Sequence, residues 1–251
     1  MSDLFAEHEP NPVTVEREHG KSPFFLSCDH ASNQIPESLG TLGLDAAELQ
    51  RHIAWDIGAA EVSRYLAEQL DATLVLQNYS RLVIDCNRPR ESDQLIPQKS
   101  ERTLIPGNQS LGEAVIEQRF SEIFVPYHTA ITSLLDRRQQ REHTVYVAIH
   151  SFTPVYFDES RPWHIGILFD DDRRVATPML KLLGADASLC VGENEPYRLD
   201  QNDYGIPVHG HERGIPHVLI ELRQDLITTA RGQQEWASRL ATDLRKSLGA
   251  I

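Results

Sequence analysis

Cysteine, positive charge and long apolar runs are all scarce in this chain of 251 residues. The three cysteines, Cys28, Cys86 and Cys190, are odd in number and widely spaced, with no CxxC pair. That excludes a disulfide framework and a thiolate zinc site, and the three read as small core residues. Lys and Arg number 24 against 37 Asp and Glu, a formal net charge of −13. Sequence-independent binding to nucleic acid or to an anionic membrane needs a cationic surface, so neither is expected, although local cationic pockets remain open. No apolar run approaches the roughly 18 residues of a spanning helix. The start, "MSDLFAEHEPNPVTVEREHGKSP", is polar and acidic rather than a secretory signal. The expectation is a cytoplasmic protein.

A hydrophobic content of 40% is enough for a substantial core, and the length suits one large α/β domain over residues 22–251 behind an N-terminal arm, residues 1–21, that reads as linker-like. Short β-rich runs alternate with helical patterns, the order of a sheet with helices on its faces. Strands are predicted at Phe24–Ser27, Thr73–Gln77, Arg81–Ile84, Val145–Ile149, Ile165–Phe169, Ser188–Val191 and His217–Leu222. Apolar residues at three- and four-residue spacing predict helices at 59–70 and 113–138, the second kinked at Pro126, with two more at about 174–184 and 232–248.

The chemistry lies where polar clusters meet these strands. Asp29-His30 follows the first, "DCNRPR" at 85–90 the third, and His150-Ser151 the run "VYVAI". Ligands of open α/β sheets bind beyond the carboxyl ends of strands, so these groups are placed to converge. Glu221, inside the otherwise apolar "HVLIELRQDL", is a carboxylate that needs a partner or a task.

Six stretches in order, "SCDHASNQIPESLG", "RHIAWDIGA", "YSRLVIDCNRP", "AIHSFTP", "VGENEPY" and "PHVLIELRQDL", resemble the motif series of the N-formylglutamate amidohydrolase family over about residues 22 to 227. That family is similar to zinc carboxypeptidases and aspartoacylases. The resemblance implies a single zinc-carboxypeptidase-like (phosphorylase/hydrolase-like) α/β domain, a central mixed sheet flanked by helices. It also implies a zinc-dependent hydrolase, one Zn2+ per chain, that cleaves the amide of an N-acyl amino acid such as N-formyl-L-glutamate.

Zinc in a hydrolase takes three ligands from His, Asp or Glu, and His30, Asp56 and His150 are the candidates. The carboxypeptidase HxxE pair is missing, since Asn33 stands three residues after His30, and Asp56 matches the family's position for the carboxylate. The implied mechanism makes Glu221 the general base and then the acid. Asn87 and Arg88 match the adjacent pair that binds a substrate carboxylate in the related peptidases, a task suited to a planar guanidinium. Arg81 is a second cation nearby. The long polar segment 192–218 reads as a binding loop, in which Asn194, Tyr197, His209 and His211 are placed to offer hydrogen bonds.

Each assignment has a plainer counterpart. Asp56 could cap a helix, the histidines could be structural, and Glu221 could pair with Arg223 on the same strand face. Arg81 and Arg88 could pair with Asp85, Glu91 or Asp93. Ser151 lies outside any GxSxG elbow, so serine hydrolysis is not expected, and "DDDRR" at 170–174 reads as a solvated helix start. Besides the N-acyl amino acid hydrolase, a zinc carboxypeptidase or deacylase with another substrate, a non-catalytic small-molecule-binding protein and a metal-free globular protein remain as alternatives.

Overall fold

Side-chain alternation along buried strands shapes the core into two layers. In the computed structural model, which describes residues 3–138 and 143–249, seven strands make one mixed sheet: β1 (Val13–Glu16), β2 (Phe24–Cys28), β3 (Thr73–Gln77), β4 (Val145–Phe152), β5 (Ile165–Leu168), β6 (Val191–Glu193) and β7 (His217–Arg223). Their order is β1-β3-β2-β4-β7-β5-β6. The strands β3, β2, β4 and β7 run parallel. β1 is antiparallel to β3, β5 is antiparallel to β7, and β6 follows β5.

Of five helices, α1 (Ala59–Leu70), α2 (Glu113–Arg119), α3 (Val125–Arg138), α4 (Ala176–Gly184) and α5 (Ala230–Leu248), all but α2 pack into the core on the faces of the sheet. Leu26, Leu74, Val147 and Ile220 point to one face, where they pack with Leu66 of α1, Met179 of α4 and Leu240 of α5. Their neighbours Phe25, Val75, Ala148 and Leu219 point to the other, against Tyr127, Ile131 and Leu135 of α3. Neither face is left to solvent, which is why these strands read as continuous apolar runs rather than alternating ones.

The expected α/β sheet flanked by helices is present, with four local corrections. Arg81–Ile84 is a turn, not a strand. Val83 N–H bonds back to the Ser80 carbonyl and Leu82 N–H to Ser80 Oγ, while the carbonyls of Leu82 and Val83 accept from Asn108 and Arg119 side chains. Its apolar character reports burial rather than a ladder. The strand expected at Ser188–Val191 begins only at Val191, because Asp186 accepts from the N–H and hydroxyl of Ser188 and holds it in a turn. The helix expected over 113–138 contains a π-helical turn at Phe120–Phe124 just before Pro126. Widening there accommodates a residue that lacks an N–H and crowds the preceding turn. Finally, Val13–Glu16 of the supposed linker is an edge strand on β3, with Leu4 buried nearby.

Among the described residues, no helix is long and apolar enough to cross a membrane. The parallel strands carry their carboxyl ends to one edge of the sheet, and β5 runs the other way. The first of these facts assembles the site described next.

Candidate active site

β2 ends by sending Cys28 into the α1 side of the core, after which come the buried Asp29 and His30, the second of which lines a cleft. β4 extends to Phe152, so His150 lies within the strand rather than after it, on the same face as Ala148. β7 runs beside β4 with Glu221 opposite His150 in register. Asp56 arrives from the loop before α1, where its N–H bonds to the His30 carbonyl at 3.0 Å.

Asp56 Oδ2 lies 2.8 Å from His150 Nδ1 and 3.3 Å from His30 Nδ1, and accepts a bond from Ser151 N–H at 3.2 Å. It is not the helix cap. That position is Gly58, with no side-chain cap. The outer ring nitrogens face two more buried carboxylates: His30 Nε2 is 2.8 Å from Asp85 Oδ1, and His150 Nε2 is 3.2 Å from Asp29 Oδ2. Tyr127 of α3 donates to the other oxygen of Asp29 at 2.5 Å. Each imidazole is thus held between an inner carboxylate and an outer one. Burial disfavours the imidazolium of His150, but Asp29 and Asp56 outweigh it and hold its pKa well above the ordinary value. Burial also opposes ionisation of Asp85, and Arg81 and His30 reverse this, holding it well below the carboxylate range.

His30, Asp56 and His150 each bring one donor atom to within 4.8 Å of the others. The donor set fits a divalent metal on three observations. Both Nδ1 atoms turn inward to the same carboxylate oxygen. Both outer nitrogens face carboxylates, the contact that orients metal-binding histidines. Three buried carboxylates, Asp29, Asp56 and Asp85, crowd the two imidazoles, and Arg81 reaches only the last two of them, a concentration of negative charge that favours a cation.

Glu221 is 7% exposed and its Oε2 has no hydrogen-bond partner. Burial pushes its pKa up to about 7. Arg223, the pairing partner considered above, instead binds Asp225 at 2.8 Å. A carboxylate poised near neutrality over a cleft has the character of a proton-transfer group.

The cleft has a volume of about 430 Å³, and Arg81, Arg88 and Tyr197 line it together with His30, Asp56, Asp85, His150 and Glu221, whereas Asp29 and Tyr127 do not reach it. Arg81 is committed to Asp85, donating through Nε and Nη2 at 2.9 and 2.6 Å, as its plainer reading anticipates. Arg88 pairs at 3.3 Å with Asp203, a partner outside those considered, and remains 24% exposed at its side chain. Asn87 also lines the cleft, but its side-chain Oδ1 accepts from Tyr204 and Gly205 N–H and its Nδ2 donates to Asp203, so it holds the 203–205 loop. Tyr197 accepts from Arg161 at 2.7 Å. Two expected residues lie away from the lining. Asn194 accepts from Phe169 N–H, and His209 is wholly buried beneath it, 2.8 Å from His128. Ser151 donates to the Ile57 carbonyl, a structural bond.

Asp29, Asp85 and Tyr127 are the residues that sequence reasoning did not assign to the site. The first two were adjacent to recognised groups, Asp29 to His30 and Asp85 at the head of "DCNRPR". Tyr127 carried no signal beyond helical periodicity.

Solved structures that resemble this one include the following two. The crystal structure of a gene product from Agrobacterium tumefaciens is 44% identical, with 99% of each chain covered and a TM-score of 0.95. The structure of N-formylglutamate amidohydrolase from Ralstonia eutropha is 17% identical, covering 96% of this chain and 98% of that one with a TM-score of 0.69, a likeness of fold. No curated protein matched the sequence. The sequence model described as N-formylglutamate amidohydrolase matches residues 22–228, most of the chain and every group just described. This chain belongs to the N-formylglutamate amidohydrolase family.

Proposed function

We propose that the chain is a zinc-dependent amidohydrolase that cleaves the amide of N-acyl amino acids of the N-formyl-L-glutamate class, releasing the acyl group as a carboxylate and the free amino acid. One observation carries this reading: His30, Asp56 and His150 converge in a cleft beside a buried, unpartnered Glu221. Membership of an amidohydrolase family supports it.

His30 and His150, through Nδ1, and Asp56 would hold the metal. When bound, zinc supplies Lewis acidity, which makes water a nucleophile near neutral pH and draws electron density from the scissile carbonyl. The protein's own groups do the rest. Glu221 takes a proton from the attacking water, helped by a pKa near 7, and returns it to the departing amine nitrogen. Arg88 offers Nε and Nη2, the donors not engaged by Asp203 and the carbonyls of Asn87 and Asn202, to the substrate α-carboxylate, which fixes the amide relative to Glu221. Asn87 positions the 203–205 loop that frames this contact. Arg81 offsets the charge of Asp85 and Asp56. Asp29 and Asp85 orient the two imidazoles.

The test is zinc content together with hydrolysis of a substrate panel: N-formyl-, N-acetyl- and N-carbamoyl-glutamate, and a dipeptide. The expected result is a zinc-dependent rate, highest for the formyl compound, and a KM raised by about tenfold or more in Arg88→Ala. Preference for another acyl group would move the substrate assignment and leave the amidohydrolase. Binding of the panel without turnover would make the chain a small-molecule-binding protein.

A further inference from the structure

The edge of the sheet opposite the cleft holds a second convergence of imidazole and carboxylate. β5 and β7 are antiparallel with Leu168 opposite Leu219, so two residues further Asp170, just past the end of β5, meets His217 at the start of β7. His211 closes on the same carboxylate from the π-helical turn Pro207–His211. His217 Nε2 lies 3.0 Å from Asp170 Oδ1 and His211 Nδ1 lies 2.7 Å from Asp170 Oδ2. The three donor atoms fall within 4.8 Å of one another. "DDDRR" is therefore more than a solvated helix start, since its first residue is held by two histidines. Four residues along β7 separate His217 from Glu221, about 13 Å at strand rise, so this cluster is distinct from the first.

The hydrogen bonding of His217 carries the argument. Its Nδ1 is 2.8 Å from the Ile215 carbonyl oxygen. A carbonyl only accepts, so Nδ1 carries the proton, and in a neutral ring Nε2 is then a bare lone pair. That lone pair faces a carboxylate oxygen at 3.0 Å, acceptor against acceptor. The ring has no room to turn away: the side chain is 2% exposed, and a Cβ on Gly210 would stand 2.6 Å from its Cγ. Positive charge must occupy the contact, either a second ring proton or a cation. A second imidazole on the other oxygen of the same carboxylate brings two ring nitrogens and a carboxylate within reach of one cation, with Asp172 Oδ2 another 3.6 Å from His217 Nδ1. Arg174 does not supply the charge, since it is spent on Asp172. Two imidazoles and one carboxylate are the donors of zinc and its neighbours in the first transition row, and a carbonyl on the far nitrogen is the contact that orients such a histidine.

We infer that Asp170, His211 and His217 form a second, non-catalytic divalent transition-metal site that fastens the π-helical turn 207–211 to the sheet. The segment it fastens also presents Asp203 to Arg88 and the backbone of Tyr204 and Gly205 to Asn87. A cation there would hold one wall of the cleft from the far side of the sheet.

The experiment is equilibrium dialysis against Zn2+, with metal per chain measured on the parent and on His150→Ala, His211→Ala and the double variant. Two ions are expected on the parent and one on each single variant. The double variant should lose the remaining ion, or bind it at least about tenfold more weakly. His211 is 59% exposed at its side chain, so its replacement leaves the fold intact, and Asp170→Asn should repeat the loss. If His150→Ala does not fold, the parent and His211→Ala still give two ions against one. Equal zinc binding with and without His211 would overturn the site and leave Asp170 and His217 as an imidazolium ion pair. Zinc retained by His150→Ala and lost with His211 upholds it even if the parent shows no hydrolysis, so its failure and that of the proposed activity are separately visible.

Discussion

Glu221 shows how much one residue's neighbours decide. In the apolar middle of a strand, beside Ile220 and Leu222, a carboxylate with an ion pair would be structural, but Arg223 turns to Asp225 and leaves Oε2 without a partner. Glu221→Gln keeps the shape and removes the proton acceptor. It is expected to lower kcat by about 10²- to 10⁴-fold with zinc content unchanged, as measured by initial rates and elemental analysis on the same preparation. An unchanged rate would remove Glu221 from proton transfer. At this scale the convergence of His30, Asp56 and His150 was foreshadowed in the sequence, because they stand at or near strand ends or a helix start. The residues behind them were not. Nothing local distinguishes Asp85 as a partner of His30, since the 55 positions between them are bridged only by folding. Asn194 and His209 show the opposite error. Polar residues in a long loop suggested contact with substrate, whereas their side chains satisfy buried backbone and another imidazole.

Among the elements, α1 owes its start to a glycine. Gly58 has φ +80°, and a Cβ there would stand 2.3 Å from the Ile227 carbonyl oxygen. Two residues earlier is Asp56. Gly58→Ala is therefore expected to cost about 2 kcal/mol or more in urea denaturation and to weaken zinc binding as well, through displacement of the loop that carries Asp56. A stability change with zinc affinity intact would show that the loop is held independently of the helix. Most elements could be read from pattern because both faces of the sheet are covered and α1, α3, α4 and α5 each bury apolar residues at helical spacing. Arg81–Ile84 misled for a related reason: a short buried run has the same composition whether its backbone pairs with a strand or folds onto side chains such as Ser80, Asn108 and Arg119. The π-helical turn before Pro126 was foreshadowed only as a kink.

For the whole molecule, the pair formed by His128 and His209 ties stability to pH. His128 Nε2 donates to the Cys86 carbonyl, so its Nδ1 accepts from His209 Nε2, an arrangement that holds both rings neutral. Burial lowers their pKa values to about 4 and about 3. Unfolded histidines titrate near 6.5, so below that pH the unfolded chain takes up protons that the native pair refuses. Stability is then full above about 6.5 and falls as pH drops toward about 4, by on the order of 3 kcal/mol for His128 alone. Urea midpoints at pH 7 and pH 5, compared with those of His128→Gln/His209→Gln, isolate this effect: the parent should lose more on acidification than the variant. Equal losses would assign the acid limb to other groups. The class of fold was legible at this scale, from alternating strands and helices, but strand order was not, since pairing β5 against β7 depends on contacts far apart in the chain.

The first strand has a practical consequence. The family match begins at residue 22, whereas Val13–Glu16 lie before it and occupy the outer side of β3. They act as a guard rail. A chain shortened to begin at residue 22 would keep every group of the cleft and uncover the backbone N–H and C=O groups of Thr73–Gln77, a ready template for another chain. Such a protein is expected to self-associate in light scattering at concentrations where the full chain does not, and its apparent inactivity would then say nothing about the catalytic groups.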